Sequence, residues 1–388
     1  MSSLKNIFII AGEASGDMHA AHLVQALRAR DSNLTFSGVG GPLMRQAGVE
    51  LYEDLTKIAV VGFVEILKHF GEFRRIFHVI LAKVKKTQTA AVILIDYPGF
   101  NLRLAKELKK LNVKVIYYIS PQVWAWKENR VETIKKYVDK MLVLFEFEKK
   151  FYAQRGLAVE FVGHPFIDTI KIKKTKQEFL QSDWFSDQKV TIGILPGSRH
   201  KEIENLLPPM IEAARILNRE FSGKVQFLLL QAPTIPREWL QKYLNNDFLV
   251  STDDAPLRLI IVDNQTYDGI NASDVCMVAS GTATLETAIL NKPMVVVYKT
   301  SPLTYWLARR LIKIPYIAMA NVVAGKKIIP ECIQQEATGE RIAQELKNIF
   351  TDEMLMTKIK SELKKVKESL GGPGAIGRAA KCILEFLD

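Results

Sequence analysis

Residues 276–298 read Cys-Met-Val-Ala-Ser-Gly-Thr-Ala-Thr-Leu-Glu-Thr-Ala-Ile-Leu-Asn-Lys-Pro-Met-Val-Val-Val-Tyr. Two short apolar runs enclose a loop of small residues and a segment whose apolar residues have helical spacing. The pattern predicts a strand, a loop, a helix and a second strand, which is the repeating unit of a parallel sheet.

The loop of this unit predicts an anion site. The first N–H groups of a helix have no partner within the helix, and small loop residues leave them accessible to a phosphate. The loop consists of Ser280, Gly281, Thr282, Ala283 and Thr284. Glu286 lies just inside the helix, where it would repel a phosphate but suits the hydroxyls of a ribose. The alternative is an ordinary strand–helix turn with a solvated Glu286.

The length and composition predict a folded protein of two domains. The chain has 388 residues, of which 48% are hydrophobic and 24% are charged, and it exceeds the usual size of one compact domain. The net charge of +11 favours anionic partners, namely phosphates, nucleotides, nucleic acid or an anionic membrane surface. Composition does not rank these partners.

The cysteines and the apolar runs indicate a cytoplasmic protein. The first apolar run, residues 7–10, is too short for a signal peptide, and no stretch reaches the roughly 18 apolar residues of a spanning helix. The wide spacing of the cysteines predicts neither a metal site nor a disulfide framework, which favours a reducing compartment. These cysteines are Cys276, Cys332 and Cys382.

In the first half of the chain, acidic residues follow apolar strands. Residues 7–11 and 90–95 read as buried strands of a parallel sheet. The first strand precedes Gly-Glu-Ala-Ser-Gly-Asp, in which Asp17 is able to cap the next helix. The second strand ends in Asp96, at the edge where open α/β sheets bind ligands; the alternative is that Asp96 caps the following turn. The acidic first loop and the lack of a complete G-x-G-x-x-G pattern argue against a dinucleotide site.

The second half predicts the phosphate-binding chemistry. A strand at 190–195 is followed by Pro-Gly-Ser-Arg, and the Arg199 guanidinium after this turn suits a phosphate. The alternative for Arg199 is a surface ion pair. Because the acidic candidates lie in the first half, we expect the first domain to supply a general base and the second to bind a phosphorylated donor. No Asp-x-Asp metal clamp occurs, so Arg, Lys and helix dipoles are expected to stabilise a leaving diphosphate without a metal or cofactor.

The predicted fold class is α/β, with two Rossmann-like βα domains that face each other across a cleft and a C-terminal helical segment. The predicted boundaries are 1–165 for the first domain, 166–350 for the second and 351–388 for the helical segment. That segment is expected to pack on the first domain or on a partner subunit. The second placement would make the protein a homodimer, and the sequence does not decide between the two.

Residues 60–86 interleave apolar and basic residues at roughly helical spacing, and two interpretations fit them. The first is a helix that packs on the sheet. The second is an amphipathic surface that rests in a membrane interface. A second apolar-basic helix is predicted after Pro302, with Trp306, Arg309 and Arg310.

With these residues in view, the chain resembles the lipid-A-disaccharide synthase family, glycosyltransferases of GT-B fold. The resemblance runs nearly end to end and is specific because many short motifs occur in order. They are Gly12-Glu-Ala-Ser-Gly-Asp17, Gly38-Val-Gly-Gly-Pro42, Ile95-Asp96 with Pro98 and Phe100-Asn101, Ser120-Pro with Val123-Trp-Ala-Trp126, Gly163-His164, Leu195-Pro-Gly-Ser-Arg199, Ser280-Gly-Thr-Ala, Leu285-Glu286, and Asn321 before Ala324-Gly325.

The resemblance implies a substrate pair and a set of site residues. The implied reaction joins UDP-2,3-diacylglucosamine to 2,3-diacylglucosamine 1-phosphate, gives the β-1′,6-linked disaccharide and releases UDP. Asp96 is implied as the general base and Arg199 as the clamp for the UDP phosphates. Glu13 and Ser15 of the first loop are implied as further residues of the catalytic site, and Asn321 is implied to line the substrate site. Ser198, beside Arg199, is predicted to bind substrate. The acylated substrates also favour contact of the protein with the cytoplasmic face of the inner membrane, whose anionic head groups suit a basic rim.

Two other functions fit parts of the sequence. A UDP-sugar 2-epimerase of the same fold would convert a UDP-sugar without any acceptor. A basic, non-enzymatic membrane or nucleic-acid binder would explain the charge alone. The chain has no aromatic-basic RNA-binding motif, so no nucleic-acid partner is expected.

Overall fold

The computed structural model describes residues 5–55, 70–181, 189–247, 257 and 259–388. It divides into two compact units, the first formed by Met1–Asp168 with Leu370–Asp388 and the second by Thr169–Ser369. The sequence predicts boundaries after residues 165 and 350; the structure divides the chain after residues 168 and 369. Each unit is a parallel sheet covered by helices, as the alternation of apolar runs predicts.

The first unit contains a seven-stranded sheet in the order β3-β2-β1-β4-β5-β6-β7, and its neighbouring strands pair in parallel. The strands are β1 (Lys5–Ala11), β2 (Leu34–Gly40), β3 (Glu50–Asp54), β4 (Ala91–Ile95), β5 (Lys114–Tyr118), β6 (Lys140–Val143) and β7 (Glu160–Phe161). The helices are α1 (Ala14–Arg28), α2 (Pro42–Gln46), α3 (Phe70–Lys86), α4 (Pro98–Lys110), α5 (Arg130–Tyr137), α6 (Glu146–Ala153), α7 (Phe166–Thr169, which ends at the boundary) and α17 (Ala375–Leu387).

Alternation along the strands of the first unit fills two hydrophobic cores. Ile7 and Ile9 of β1 belong to the core under α1 and α17, whereas Phe8 and Ile10 belong to the opposite core under α3 and α4. Successive strand residues point to opposite faces of a sheet. A strand that is buried on both faces is therefore apolar at every position and does not alternate with polar residues.

Helix α3, which is the described part of the apolar-basic segment 60–86, packs on this sheet. Ile76, Ile80 and Val84 of α3 are buried in the core, and Phe73 and Phe77 pack against it while partly exposed. The core-facing interpretation therefore holds for residues 70–86. Phe63, Ile66 and Leu67, three apolar residues of the 60–86 segment, lie outside the described residues.

The C-terminal helix α17 completes the first unit. Asp168 accepts a hydrogen bond from the N–H of Ile376 at 2.9 Å and another from Gly374, at the start of α17. Arg378 donates to the carbonyl oxygens of Val162, Pro373 and Gly372. Residues 370–388 thus belong to the first unit, whereas the helix Glu353–Ser369 of the predicted 351–388 segment belongs to the second.

The second unit contains a six-stranded parallel sheet in the order β10-β9-β8-β11-β12-β13. Its strands are β8 (Val190–Leu195), β9 (Val225–Leu230), β10 (Leu259–Val262), β11 (Val275–Ala279), β12 (Met294–Tyr298) and β13 (Glu331–Ile333). Its helices are α8 (Lys176–Leu180), α9 (His200–Glu220), α10 (Arg237–Asp247), α11 (Thr266–Ala272), α12 (Thr282–Ile289), α13 (Pro302–Leu311), α14 (Met319–Ala324), α15 (Gly339–Thr351) and α16 (Glu353–Ser369), with a short 3₁₀ turn at Gln334–Glu336.

Replacing Gly38 with Ala is expected to destabilise the first unit strongly. The added Cβ would lie 2.0 Å from the carbonyl oxygen of Ile9, and both residues belong to the paired backbones of β1 and β2. We expect the free energy of unfolding to fall by at least about 3 kcal/mol, the upper end of overpacking costs, in urea denaturation. Gly71→Ala is the control, because no described atom lies within 4 Å of its Cβ position. An unchanged urea midpoint for Gly38→Ala would contradict this strand pairing.

Candidate active site

Each sheet has one topological switch point, where the strand order reverses direction. It lies between β1 and β4 in the first sheet and between β8 and β11 in the second. Ala11 pairs with Ile95, and Leu195 pairs with Val278, so the loops that follow these strands start side by side. Doubly wound sheets bind ligands at such points. The segments that follow these four strands carry all the predicted site residues except Asn321.

Asp96 follows β4 directly, in an unusual backbone conformation. Asp96 and Tyr97 both have a φ of +46°, in the left-handed region that L-residues rarely adopt. The carbonyl oxygen of Asp96 accepts hydrogen bonds from the Asn101 side chain at 2.8 Å and from the Tyr117 hydroxyl. Asn101 also donates to the carbonyl of Ile95 at 3.1 Å. These hydrogen bonds therefore hold the strained backbone of Asp96 in place, and strain of this kind is often found at functional sites.

The carboxyl group of Asp96 has a pKa raised toward neutral pH. Burial, and after it the negative charge of Glu13, raises the pKa of Asp96 to about 6. A base is most effective when its pKa lies near the working pH, because it is then both deprotonated and basic. Glu13 is the residue before α1. The negative charge of the loop after β1 therefore contributes to the raised pKa of the residue after β4.

Gly12 makes room for the aromatic residue beside this carboxylate. A Cβ at Gly12 would lie 2.6 Å from the ring of Tyr97. The Tyr97 ring also stacks on Phe73, with ring centroids 6.2 Å apart, and lies 6.1 Å from Phe100. The glycine of the first loop thus has a packing role in addition to its place in a motif.

Replacing Glu13 with Gln is expected to move the acid limb of the pH–rate profile to lower pH. The change removes a negative charge that raises the pKa of Asp96. A general base works deprotonated, so activity is lost as the pH falls through that pKa, and a lower pKa delays the loss. The measurement is kcat/KM over roughly pH 5 to 8, with Glu132→Gln as a control for carboxylate loss on the exposed face of α5. An acid limb that stays in place would show that Glu13 does not act on the base.

Asp17 has a different partner from the one expected. Its carboxylate accepts hydrogen bonds from the N–H groups of Gly41, Leu43 and Met44 at 2.9 to 3.0 Å, and it is buried. Asp17 therefore caps the start of α2 and does not cap α1, in whose first turn it lies. It ties the first loop to the glycine-rich loop after β2. Ser15, two residues earlier, is partly exposed in the first turn of α1.

The turn after β8 places Ser198 and Arg199 at the start of α9. Glu202 accepts hydrogen bonds from the Ser198 N–H at 3.0 Å and from the Arg199 guanidinium at 2.9 Å. Gly197 has a φ of +123°, and a Cβ there would lie 2.7 Å from the Glu202 carboxylate. The surface ion pair considered for Arg199 thus exists, with the Arg199 side chain 55% exposed. It is compatible with phosphate binding, because a guanidinium has five donors.

The loop after β11 leads directly into α12. Gly281 has a φ of +150°, and Gly281 and Thr282 are exposed, whereas Thr284 is buried and donates to the Gly281 carbonyl at 2.7 Å. Ser280 donates to the carbonyl of Ile317 at 3.3 Å. The first turn of α12, with Ala283 partly exposed, therefore presents helix N–H groups at the switch point.

Glu286 lies on the second turn of α12 and has a defined partner. The hydroxyl of Tyr267, on α11, donates to Glu286 Oε1 at 2.9 Å. Burial raises the pKa of Glu286, and the bond from Tyr267 opposes that rise. Glu286 is therefore not the fully solvated side chain of the alternative interpretation.

Asn321 lies on α14, which packs on α12, but its side chain is bonded within its own segment. Its side chain is fully buried and donates to the Ile329 carbonyl at 3.0 Å and to Glu331 at 2.8 Å. It also accepts hydrogen bonds from the N–H groups of Ile328 and Ile329. An amide has four hydrogen-bonding positions, and all four are used here. Direct substrate contact would break these bonds, so we assign Asn321 a positioning role for the segment between α14 and β13.

Four supporting residues were not predicted to have these roles. They are Asn101, Tyr117, Glu202 and Tyr267. The Phe100-Asn101 motif was a usable signal for the first, but nothing in the sequence marks a tyrosine within a strand as a hydrogen-bond donor to a site residue. Among the described residues, no group of three or more His, Cys, Asp and Glu side chains has the arrangement of a metal site.

Comparison with known proteins places the chain in a family. Residues 7–383 match the family model described as lipid-A-disaccharide synthetase. The chain belongs to that family. It is 42% identical to the lipid-A-disaccharide synthase of Trichlorobacter lovleyi over 384 residues, which cover 99% of this chain and 98% of the relative. The corresponding enzyme of Myxococcus xanthus is 39% identical over 387 residues, which cover 100% and 99% of the two chains.

Solved structures show the same fold at low sequence identity. The glycosyltransferase of kitacinnamycin superposes with a TM-score of 0.66 at 14% identity, and the match covers 99% of each chain. The S. aureus MnaA–UDP co-structure superposes with a TM-score of 0.64 at 14% identity over 99% of this chain and 97% of that one. The lipid-A-disaccharide synthase family consists of glycosyltransferases, and the two Rossmann-like sheets with a helical C-terminus are those of the GT-B fold.

Proposed function

We propose that the chain transfers 2,3-diacylglucosamine from its UDP conjugate to 2,3-diacylglucosamine 1-phosphate, giving the β-1′,6-linked disaccharide and UDP. Family membership supports the disaccharide product. The proposed mechanism rests on one observation. The carboxyl group of Asp96 has a pKa of about 6 and lies at the switch point of the first sheet. The second unit supplies the donor-binding elements.

The proposed reaction is one in-line displacement. Asp96 takes the proton of the acceptor 6-hydroxyl while that oxygen attacks the anomeric carbon of the donor sugar. The new C–O bond forms as the bond from the anomeric carbon to the diphosphate breaks, and UDP leaves with that electron pair. One displacement inverts the anomeric carbon, which turns an α-linked donor into a β-linked product.

The second unit stabilises the leaving group in this proposal. Arg199 lies at the start of α9, and Thr282 begins α12, so two helix N-termini and one guanidinium converge on one switch point. Both the N–H groups of a helix start and a guanidinium bind anions. Ser198 and residues 280–284 are assigned to the diphosphate, and Glu286 is assigned to the ribose.

The test is incubation of the purified chain with both acylated substrates, with mass detection of disaccharide and UDP. We expect equal amounts of the two products and no reaction when the acceptor is omitted. Conversion of the UDP-sugar in the acceptor-free sample would favour the epimerase alternative. No product in either sample would reject the proposed function.

The acylated substrates lead to a proposal for membrane contact. Among the described residues, no helix has both the length and the apolar character to cross a bilayer. Helix α13 exposes 50% of Trp306, and Leu311 and Ile312 at its end are 54% and 38% exposed. The Arg310 guanidinium lies 3.6 Å from the centre of the Trp306 ring. An exposed aromatic and apolar surface with basic residues suits the anionic interface of the inner membrane.

Replacing both Trp306 and Leu311 with Ser is expected to weaken binding to anionic vesicles at least about tenfold, because two large apolar side chains would no longer enter the interface. The measurement is vesicle co-sedimentation, with thermal melting to show that the fold is kept. Met354→Ser on α16 is the control, because Met354 is a large apolar side chain of another helix and is 85% exposed. Equal binding of the double variant and wild type would remove α13 from the membrane contact.

A further inference from the structure

A cationic cluster surrounds Trp126 in the first unit. The Lys127 ammonium lies 4.5 Å from the centre of the Trp126 ring, and the Arg130 guanidinium carbon lies 5.3 Å from it. Two cations thus share one indole ring. We call Trp126, Lys127 and Arg130, together with Arg103 of the neighbouring helix α4, the Trp126 cluster.

The cluster lies at the same edge of the sheet as Asp96. Strands β4 and β5 are neighbours, and Ile95 pairs with Tyr118, so the segment that carries the cluster leaves the sheet beside Asp96. Tyr117, in β5, donates its hydroxyl to the Asp96 carbonyl. Arg103 lies on α4, which begins two residues after Asp96 and packs on α5, whose first residue is Arg130.

The cations of the cluster form no ion pair in the described part of the chain, where no carboxylate lies within salt-bridge distance of Arg103, Lys127 or Arg130. The nearest acidic residue in sequence, Glu128, accepts hydrogen bonds from Nε and Nη2 of Arg155 at 2.8 and 2.5 Å. Burial lowers the pKa of Arg130, the charge of Arg103 lowers it further, and Tyr117 opposes both. Cations gathered in this way are stabilised by a bound anion.

The backbone of the cluster is also unusual. Lys127 has a φ of +56°, in the left-handed region, and its carbonyl accepts a hydrogen bond from the Arg130 N–H at 3.0 Å. This turn brings Lys127 and Arg130 to the same ring. Strained turns of this kind are kept where they position functional groups.

We propose that the Trp126 cluster binds the anomeric phosphate of the acceptor. The inference rests on the proposed function, in which the acceptor is a phosphomonoester whose 6-hydroxyl meets Asp96. The anomeric carbon and the carbon that bears the 6-hydroxymethyl group are both bonded to the ring oxygen. The phosphate and the 6-hydroxyl therefore leave the same edge of one pyranose ring, and a cationic site beside Asp96 fits both groups of one sugar. The cluster acts as a positioning and specificity site, because it touches the acceptor away from the reacting atoms.

The test compares two acceptors, diacylglucosamine 1-phosphate and the same acylated sugar with a free anomeric hydroxyl. We expect Arg130→Gln to lower the preference of kcat/KM for the phosphorylated acceptor about 10- to 100-fold, the range for losing a charged hydrogen bond to phosphate. Most of the change should lie in KM. Lys127→Gln is expected to act in the same direction, and Arg130→Lys to restore part of the preference.

Lys136→Gln is the matched control, because it removes a cation at the other end of α5 and is expected to leave the preference unchanged. Equal losses for both acceptors in Arg130→Gln, at an unchanged melting temperature, would overturn the proposal. So would an unchanged preference combined with weaker binding to phosphatidylglycerol vesicles, which would assign the cluster to lipid head groups. Failure of the wild type to form product with either acceptor would instead reject the proposed function, and this inference with it.

Discussion

Replacing Asp96 with Asn is expected to lower kcat by about 10²- to 10⁴-fold, the usual contribution of a general base. Asn has nearly the same shape and tolerates the left-handed backbone of this position, but it cannot accept the proton of the acceptor hydroxyl. UDP binding, measured by calorimetry, should be unchanged, because the donor elements lie in the second unit. Retention of more than about a tenth of wild-type kcat would remove Asp96 as the base.

The same variant carries a prediction about stability. Burial and Glu13 raise the folded-state pKa of Asp96 to about 6, whereas an unfolded Asp has a pKa of about 3.9. The folded state therefore binds the proton more tightly, and the ionised carboxylate costs stability once the pH rises above the folded pKa. Asp96→Asn is expected to unfold with a free energy up to about 3 kcal/mol higher than wild type at pH 8, and equal to it near pH 4.

Urea denaturation at the two pH values measures this difference, with Glu107→Gln on the surface of α4 as the control variant. A variant that is inactive and also less stable at pH 8 would mean that Asp96 serves the fold. An inactive variant with raised stability separates the catalytic role from a structural one.

Replacing Arg199 with Gln is expected to lower kcat by about 10²- to 10³-fold, the range for removing one group that stabilises charge in the transition state. The guanidinium lies at the start of α9, beside the loop that leads into α12, and the diphosphate gains negative charge as the bond to the sugar breaks. Steady-state kinetics with both substrates measures the loss. The variant should retain the melting temperature of the wild type, because the Arg199–Glu202 ion pair is partly exposed and contributes little to stability.

The control for Arg199 is Arg219→Gln, which removes an exposed guanidinium from the last turn of α9, at the opposite end of that helix. It is expected to leave kcat within a factor of about two, since the length of the helix exceeds the screening distance. Similar losses for both variants would indicate a general effect of net charge. A loss confined to the KM for the UDP-sugar would show that Arg199 binds substrate and transition state equally.

The sequence was sufficient for the fold because apolar runs and small-residue loops alternate throughout. Runs such as 90–95 and 294–298 lack polar alternation, and only a parallel sheet covered on both faces buries such strands. The GT-B assignment from sequence is confirmed by the two sheets and the structural neighbours. The structure also has Glu13, Asp96, Arg199 and the loop at 280–284 just after strands, where the sequence predicts them; their roles stay predictions.

The roles of individual side chains were harder to predict, because they depend on where a side chain points within a loop. Asp17 has the sequence position of an α1 cap, yet its carboxylate turns toward the N–H groups at the start of α2. Asn321 lies on α14, and its amide is saturated by the segment from α14 to β13. The partners that decide such cases, such as Glu331, are distant in sequence and become neighbours only in the folded chain.

The measurement that tests the account most directly is the anomeric configuration of the product. A donor labelled with ¹³C at its anomeric carbon, incubated with the acceptor and the purified chain, gives this configuration by NMR together with the stoichiometry of UDP. A single displacement with Asp96 as base predicts a β linkage to the 6-oxygen of the acceptor and one UDP for each disaccharide. An α linkage, or release of UDP without disaccharide, would contradict it.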